Sequence, residues 1–103
     1  MKSTTLPASR KGKSSSIATI RGTKRYLKVI DQIQFLQSND KNKVICLQRL
    51  RLSKRGIEFR LGYYIIGVKP GRKGKWVWGQ YAPMLPKRDL RKVFREAVKK
   101  KWL

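Results

Sequence analysis

The side chains that could perform acid–base, nucleophilic or metal chemistry are few and far apart in this sequence. There is no histidine. The five carboxylates are those of Asp31, Asp40, Glu58, Asp89 and Glu96. Acid–base catalysis and metal binding need such groups to converge, whereas we interpret Asp40 as a turn residue and Asp89 as a charge that complements a helix N-terminus. The single cysteine, Cys46, lies in an apolar run and is predicted to be a small buried hydrophobe rather than a reactive thiol.

Three segments resemble parts of catalytic or nucleotide-binding motifs. Residues 58–60, Glu-Phe-Arg, are similar to the acid–x–Lys element of many nucleases, except that the lysine is replaced. Residues 64–67 match half of the GIY-YIG nuclease motif, but its first tripeptide is missing upstream. The loop at residues 71–75 is not a Walker loop, because its glycine spacing differs and no Ser or Thr follows its lysine. We therefore expect a protein that is not an enzyme and holds no cofactor or metal. A small nuclease subunit that uses Asp31 and Glu58 is the least favoured alternative.

The net charge is the strongest signal in the sequence. The chain of 103 residues carries 27 Lys and Arg against 5 Asp and Glu, which gives a formal net charge of +22. A small core must form despite strong self-repulsion, and a polyanionic partner would relieve that repulsion. Nucleic acid is the commonest partner for such a charge, so the composition predicts a nucleic-acid-binding protein.

The candidate contacts are basic residues that cluster at four places in the chain. They are Arg10, Lys11 and Lys13 near the N-terminus, Arg49, Arg51, Lys54, Arg55 and Arg60 on a predicted hairpin, Lys69, Arg72, Lys73 and Lys75 in the next loop, and Lys87 and Arg88 before a predicted helix. Trp76 joins them, because it lies beside the basic loop and an unstacked base can stack on an exposed indole. Trp78 is expected to lie mainly in the core. Since aromatic residues accompany the charge, single-stranded DNA or RNA is favoured over a duplex.

Residues 1–25 differ in composition from the rest of the chain. They contain seven cations and no acidic residue. This composition predicts a flexible basic arm that wraps nucleic acid, with a solubilising tail and an organelle transit peptide as the alternatives. Because the length allows only one core, residues 26–103 are predicted to form a single nucleic-acid-binding domain.

The remaining pattern predicts several strands followed by one helix. Residues 26–37 fit a strand and fit a helical stripe almost as well. The face of that strand would consist of Leu27, Val29, Ile33 and Phe35. Residues 43–52, 57–68 and 75–82 alternate between apolar and polar side chains and are predicted to be strands.

The helix is predicted after Pro86, because proline fits the first helical turn. Its apolar stripe consists of Leu90, Val93, Phe94, Ala97 and Val98. The expected fold class is therefore α+β, with an antiparallel sheet of about four strands followed by a C-terminal amphipathic helix.

This order of elements resembles that of the positive-cofactor-type transcriptional coactivators, and it is also similar to that of Whirly and Pur-type single-strand binders. The sequence that carries the resemblance is the run Lys-Pro-Gly-Arg-Lys-Gly at residues 69–74, ahead of the last strand. The resemblance covers residues 43–100 in the order of elements and only this loop in actual residues. It implies a curved antiparallel sheet that binds single-stranded DNA, a dimer packed through the C-terminal helix and a role in transcription regulation. Residues 76–81 depart from the usual last strand of that family.

The sequence thus predicts a non-catalytic protein that binds single-stranded DNA or RNA through phosphate contacts and aromatic stacking. The alternative is a structural RNA-binding component of a ribonucleoprotein complex, in which the basic arm threads between RNA helices. A homodimer and a larger nucleoprotein complex both remain open. No stretch approaches the roughly 18 apolar residues of a membrane span, and the N-terminus lacks an apolar signal core. We therefore expect no membrane partner and a location in the cytoplasm or the nucleoid.

Overall fold

The chain forms five strands and one helix. The computed structural model describes residues 6–18, 21–22, 24–52, 56–79 and 81–103. The elements are β1 (Ser14–Ala18), β2 (Lys24–Gln37), β3 (Asp40–Leu52), β4 (Gly56–Ile66), β5 (Trp76–Trp78) and the helix α1 (Lys87–Lys99). In the ranges that the structure describes, no helix is long and apolar enough to cross a membrane.

All five strands belong to one antiparallel sheet, in which each strand pairs with its neighbour in sequence. The antiparallel sheet with a C-terminal helix is as predicted, but the sheet has five strands rather than about four. The additional strand is β1, in which Ser14 pairs with Lys28 of β2. It lies within residues 1–25, so the sheet begins inside the segment that we assigned to the basic arm. Its serines carry no apolar alternation, which is why the sequence pattern did not indicate a strand.

A bulge in β2 explains why residues 26–37 fitted two patterns. The pairing with β3 shifts register between Val29 and Asp31. Because successive side chains in a strand point to opposite faces, one extra residue exchanges the faces beyond the bulge. Leu27 and Val29 consequently pack on one face, and Ile33 and Phe35 pack on the other. The segment is a strand, but its odd-numbered apolar residues do not share a face as predicted.

The helix α1 covers one face of the sheet, which we call the helix face. Val93 and Ala97 of α1 are buried there against Ile33, Phe35 and Ile45. The other members of the predicted apolar stripe stay partly in solvent, with Leu90, Phe94 and Val98 exposed by 38%, 52% and 56%. The contact between helix and sheet is therefore narrow, and it leaves part of the helix face open.

The opposite side of the sheet, which we call the back face, holds two apolar clusters. Leu27, Val29, Leu50 and Leu52 form one of them. The other consists of Val44, Cys46 and Tyr64, with Leu6, Trp76 and Trp78 packed against it. Cys46 has no exposed surface, and burial raises the pKa of its thiol to about 12. The prediction that Cys46 is a small buried hydrophobe is confirmed.

The segment before β1 contributes to this back face. Pro7 is buried, and its carbonyl oxygen accepts a hydrogen bond from Gln34 of β2. The backbone N–H of Gly12 donates to the carbonyl of Val29, and the N–H of Val29 donates to the carbonyl of Lys13. Residues 6–13 therefore lie against β2, and they bring Arg10 above the sheet.

The first turn of α1 is fixed to the turn between β2 and β3 by one carboxylate. Asp89 is 2% exposed, and its Oδ2 accepts hydrogen bonds of 3.0 Å from both the backbone N–H and the hydroxyl of Ser38. Asp89 lies in the first turn, where a negative charge also complements the helix dipole. This one side chain thereby sets where α1 begins on the sheet.

Candidate nucleic-acid interface

The basic residues singled out from the sequence come from five parts of the fold. Arg10, Lys11 and Lys13 precede β1, Arg49 and Arg51 lie on β3, Arg60 lies on β4, Lys69, Arg72, Lys73 and Lys75 lie in the loop between β4 and β5, and Lys87 and Arg88 begin α1. Lys54 and Arg55 fall outside the described residues. All of the others are exposed except Arg49 and Arg60, which are half-buried.

One part of the helix face that α1 leaves open combines cations with exposed rings. Lys28, Arg51 and Ile57 are cross-strand partners on β2, β3 and β4. Arg49 and Phe59 form the next partner pair on the same face, because side chains two residues apart in a strand point the same way. We call this surface the open patch, and it consists of Tyr26, Lys28, Arg49, Arg51, Ile57 and Phe59.

The rings of the open patch are accessible to a ligand. Tyr26 is 64% exposed and Phe59 is 41% exposed. A groove of about 400 Å³ formed by β1, β2, β3 and β4 is lined by Tyr26, Lys28 and Arg51 together with Ser14. Arg49 and Phe59 are directly opposed, so their Cβ atoms are about 5 Å apart. Lys28 lies two residues from Tyr26 on the same face of β2. The sequence reasoning missed Tyr26 and Lys28, since their place on this face depends on the bulge in β2.

Arg49 has an unusual position at the edge of the open patch. It is half-buried, and its Nε is buried without a hydrogen-bond partner among the described residues. Its cross-strand partner on β2 is Asp31, but that carboxylate pairs with other cations. Oδ2 of Asp31 lies 3.1 Å from Nζ of Lys100, and Oδ1 of Asp31 lies 4.0 Å from Nζ of Lys11. A buried donor without an acceptor is costly.

The environment of Asp31 favours its ionised form. Burial alone would raise the pKa of this carboxyl. The hydrogen bond from Lys100, the backbone N–H of Gln32 and the charges of Lys100 and Lys11 outweigh that effect, so the pKa of Asp31 is lowered from its ordinary value. Asp31 thus joins the segment before β1 to the end of α1 beside the open patch.

The basic loop at residues 69–75 lies at the other end of the sheet. Gly67 and Lys73 form an isolated bridge that closes the loop, and the N–H of Gly67 donates to the carbonyl of Lys75. Beside the loop is a cavity of about 510 Å³, lined by Ile65, Val77, Tyr81, Lys69 and Arg72 among others. Tyr81 is 82% exposed, so this end also places a ring next to cations.

The two tryptophans of β5 both pack on the back face. Trp76 and Trp78 are half-buried against the cluster of Val44, Cys46 and Tyr64. The ring of Trp78 meets that of Tyr64 edge-on, with centroids 5.1 Å apart. The two tryptophans are thus buried to a similar degree, and the expected division between a core Trp78 and an available Trp76 is not seen. Trp76 is also less exposed than Tyr26, Phe59 or Tyr81.

Arg60 belongs to a chain of polar side chains across the back face. Its Nε and Nη2 donate to Oε1 of Gln48 at 3.0 and 2.7 Å, and its guanidinium carbon lies 5.0 Å from the ring centre of Trp78. Gln48 is 1% exposed and donates in turn to Gln32 at 3.1 Å. Two hydrogen bonds and the indole of Trp78 therefore hold Arg60 in place.

The carboxylates do not form a catalytic pair. Asp31 is the partner of Arg49 on the helix face, whereas Glu58 is the partner of Leu50 on the back face, so the sheet separates them. No group of three or more metal-binding side chains occurs in the part of the chain that the structure describes. Asp31 and Glu58 therefore do not converge on one site, as the nuclease alternative would require.

Comparison with known proteins finds no relative. No protein-family model, no curated protein and no solved structure matches this chain.

Proposed function

We propose that this protein binds single-stranded DNA or RNA without catalysis, and that the open patch is the main contact surface. The observation that carries the proposal is the juxtaposition of exposed rings and cations in the open patch. Tyr26 and Phe59 offer surfaces for base stacking, and Lys28 and Arg51 lie beside them to bind phosphates.

The imbalance of charge supports this choice of partner. The net charge of +22 is distributed over a chain with only five carboxylates. Among the described residues, Asp31 pairs with Lys11 and Lys100, and Glu96 pairs with Lys99. Since Lys and Arg outnumber the carboxylates 27 to 5, most of the cations cannot be neutralised within the chain, and phosphates would neutralise them.

A single strand suits the patch better than a duplex does. Stacking requires bases that are turned out of a helix, and the exposed rings belong to strands of a sheet rather than to a helix that could enter a groove. The strength of binding would come mostly from phosphates, with little preference for sequence. A place in transcription regulation and an assembly as a homodimer belong to the same proposal, through the resemblance to single-strand-binding coactivators.

The direct test is the affinity for a fluorescent single-stranded oligonucleotide at several salt concentrations. If about six to ten phosphates are neutralised, log K should fall against log salt with a slope of roughly −4 to −7. A duplex of the same sequence should bind more weakly. A slope near −1, or tighter binding to the duplex, would refute the proposal. Tight binding to a folded structural RNA alone would favour the ribonucleoprotein alternative.

Two matched pairs of variants test the location of the site. Tyr26→Ala should lower the affinity by about 1–3 kcal/mol, the value of one stacked base. Its control is Phe94→Ala, which removes another exposed ring but from α1. Arg51→Ala should weaken binding more than Arg95→Ala, although both remove one exposed charge. If Tyr26→Ala and Phe94→Ala have equal effects, and Arg51→Ala and Arg95→Ala also have equal effects, binding depends on net charge alone and the open patch is not the site.

A further inference from the structure

A small cavity on the back face brings two guanidinium groups together. It has a volume of about 250 Å³ and is lined by Arg10, Gln48, Arg60, Tyr64 and Trp78. Arg10 comes from the segment before β1, and the other four side chains come from β3, β4 and β5. The cavity is separated from the open patch by the sheet itself, so it is a distinct place on the molecule.

The electrostatics of this cavity are those of an anion site. Burial is the main cause that lowers the pKa of Arg60, and the positive charge of Arg10 lowers it further. The groups that oppose this effect are Cys46 and Tyr64, and no carboxylate of the described residues is among them. Two like charges therefore lie close together in a partly desolvated place, an arrangement that an anion between them would stabilise.

The polar chain described above positions the side chain of Arg60 and anchors the backbone segment that carries Arg10. Arg60 has five N–H donors, of which Nε and Nη2 each donate to Gln48, and its remaining donors can bind an anion. Gln48 donates to Gln32, Gln32 donates to Gln34, and Gln34 donates to the carbonyl of Pro7. The same chain thus fixes Arg60 and holds the segment that carries Arg10. A site organised before binding loses little conformational entropy when the ligand arrives.

The size and lining of the cavity narrow the class of ligand. Its volume exceeds the roughly 30 Å³ that one water molecule occupies in the liquid, so it can hold a polyatomic anion. Guanidinium groups bind phosphate oxygens with two parallel hydrogen bonds, which suits a tetrahedral oxyanion better than a halide. The rings of Tyr64 and Trp78 supply an apolar wall that shields the charges from water.

We propose that the cavity between Arg10 and Arg60 binds one phosphate group of the nucleic-acid strand. This inference rests on the proposed function, because it takes the strand as the source of the phosphate. It adds one anion position that is formed by a cavity of the fold. Whether that phosphate is the terminal monoester or an internal diester is decided by the test.

The first experiment uses inorganic phosphate as the probe and does not depend on nucleic acid. We would follow the Nε–Hε signals of the arginines by ¹H–¹⁵N NMR, with chloride at equal ionic strength as the reference. The signal of Arg60 should shift and saturate with phosphate in the wild-type protein and in Arg95→Ala. In Arg10→Ala, whose side chain is exposed and so is not needed for folding, the saturable shift should be lost. Shifts that do not saturate, or that are equal in all three proteins, would overturn the proposal.

The second experiment measures oligonucleotide affinity in the same variants. Arg10→Ala should weaken the binding of a single strand at least about tenfold, and Arg95→Ala should weaken it much less, because a charge-assisted contact is worth more inside a cavity than on the surface. Arg10→Lys should recover only part of the loss, since it keeps the charge without the fork of donors. A greater loss for a 5′-phosphorylated strand than for an unphosphorylated one would identify the terminal group. Equal losses for both strands would identify an internal diester.

The two experiments separate this inference from the proposed function. If the wild-type protein binds oligonucleotides but Arg10→Ala and Arg95→Ala lose affinity equally, the cavity is not a strand contact and the inference fails alone. If phosphate binding saturates while no oligonucleotide binds, the proposed function fails and the cavity takes phosphate from another source.

Discussion

Substituting Gly62 with alanine should destabilise the fold through one specific contact. Gly62 lies on β4, and the indole of Trp78 lies across it on the back face. A Cβ built at Gly62 would be 2.3 Å from Cζ2 and 2.4 Å from Cη2 of Trp78, whereas ordinary van der Waals contact begins at 3.4 Å, so the indole must move by about 1 Å. That movement would disturb the edge-on contact with Tyr64 and the position of the ring beneath Arg60.

The expected cost follows from two opposing effects. Overpacking of a core typically costs about 1–3 kcal/mol. Replacing glycine by alanine also restricts the unfolded chain, which returns about 0.4–1 kcal/mol. The free energy of unfolding should therefore fall by about 1–2 kcal/mol, and for a domain of this size the midpoint of thermal unfolding should fall by about 5–15 °C.

The measurement is a double-mutant cycle with Trp78→Leu, followed by urea and thermal unfolding. In the Trp78→Leu background the alanine has no indole to displace, so Gly62→Ala should cost less than about 0.5 kcal/mol there. If Gly62→Ala costs the same in both backgrounds, or stabilises the wild-type protein, the proposed steric contact is not the cause. Far-UV circular dichroism is the suitable signal for unfolding, since Trp78→Leu removes one of the fluorescent tryptophans.

Three further predictions concern other parts of the fold. Asp31→Asn should lower the free energy of unfolding by about 0.2–1 kcal/mol at neutral pH. Because folding lowers the pKa of Asp31, the difference in stability between the variant and the wild type should vanish as the pH falls below the ordinary value of 3.8. An acid titration of stability measures this. Cys46 should react with a thiol reagent only at the rate of unfolding, since its thiol is buried with a pKa of about 12, and rapid labelling of the native protein would contradict this. Deleting residues 2–13 should destabilise the protein by about 2 kcal/mol, because the deletion removes Leu6 and Pro7 from the back face. Urea unfolding measures this, and unchanged stability would mean that the segment adds nothing to the fold.

The elements with a simple periodicity could be predicted from the sequence. Strands β3 and β4 have clear alternation, and α1 follows Pro86 and carries Asp89 in its first turn, so their presence and order agree with the structure. The two faces of β2 could not be predicted, because a single bulged residue near Asp31 changes which side chains point to the helix. Local sequence does not encode that bulge as a pattern.

The candidate site shows the same division. The choice of Arg51 and of the basic loop needed only charge and position in a hairpin. Choosing Tyr26 as a site residue requires knowing which part of the sheet α1 leaves open. That depends on the burial of Val93 and Ala97 rather than of Phe94. The pairing of Arg10 with Arg60 joins residues 50 positions apart, and only the course of the segment before β1 brings them together.

The order of the strands has a consequence for how the chain folds during its synthesis. Neighbouring strands of the sheet are also neighbours in sequence. Each new strand can therefore pair with the strand made just before it as the chain leaves the ribosome, without waiting for a distant segment. The helix is the exception, because α1 comes last and packs on β2. Until α1 is made, Ile33, Phe35 and Ile45 are in contact with water on the emerging sheet. The packing of α1 therefore completes this part of the core, and a sheet without α1 presents an exposed apolar surface to chaperones and proteases.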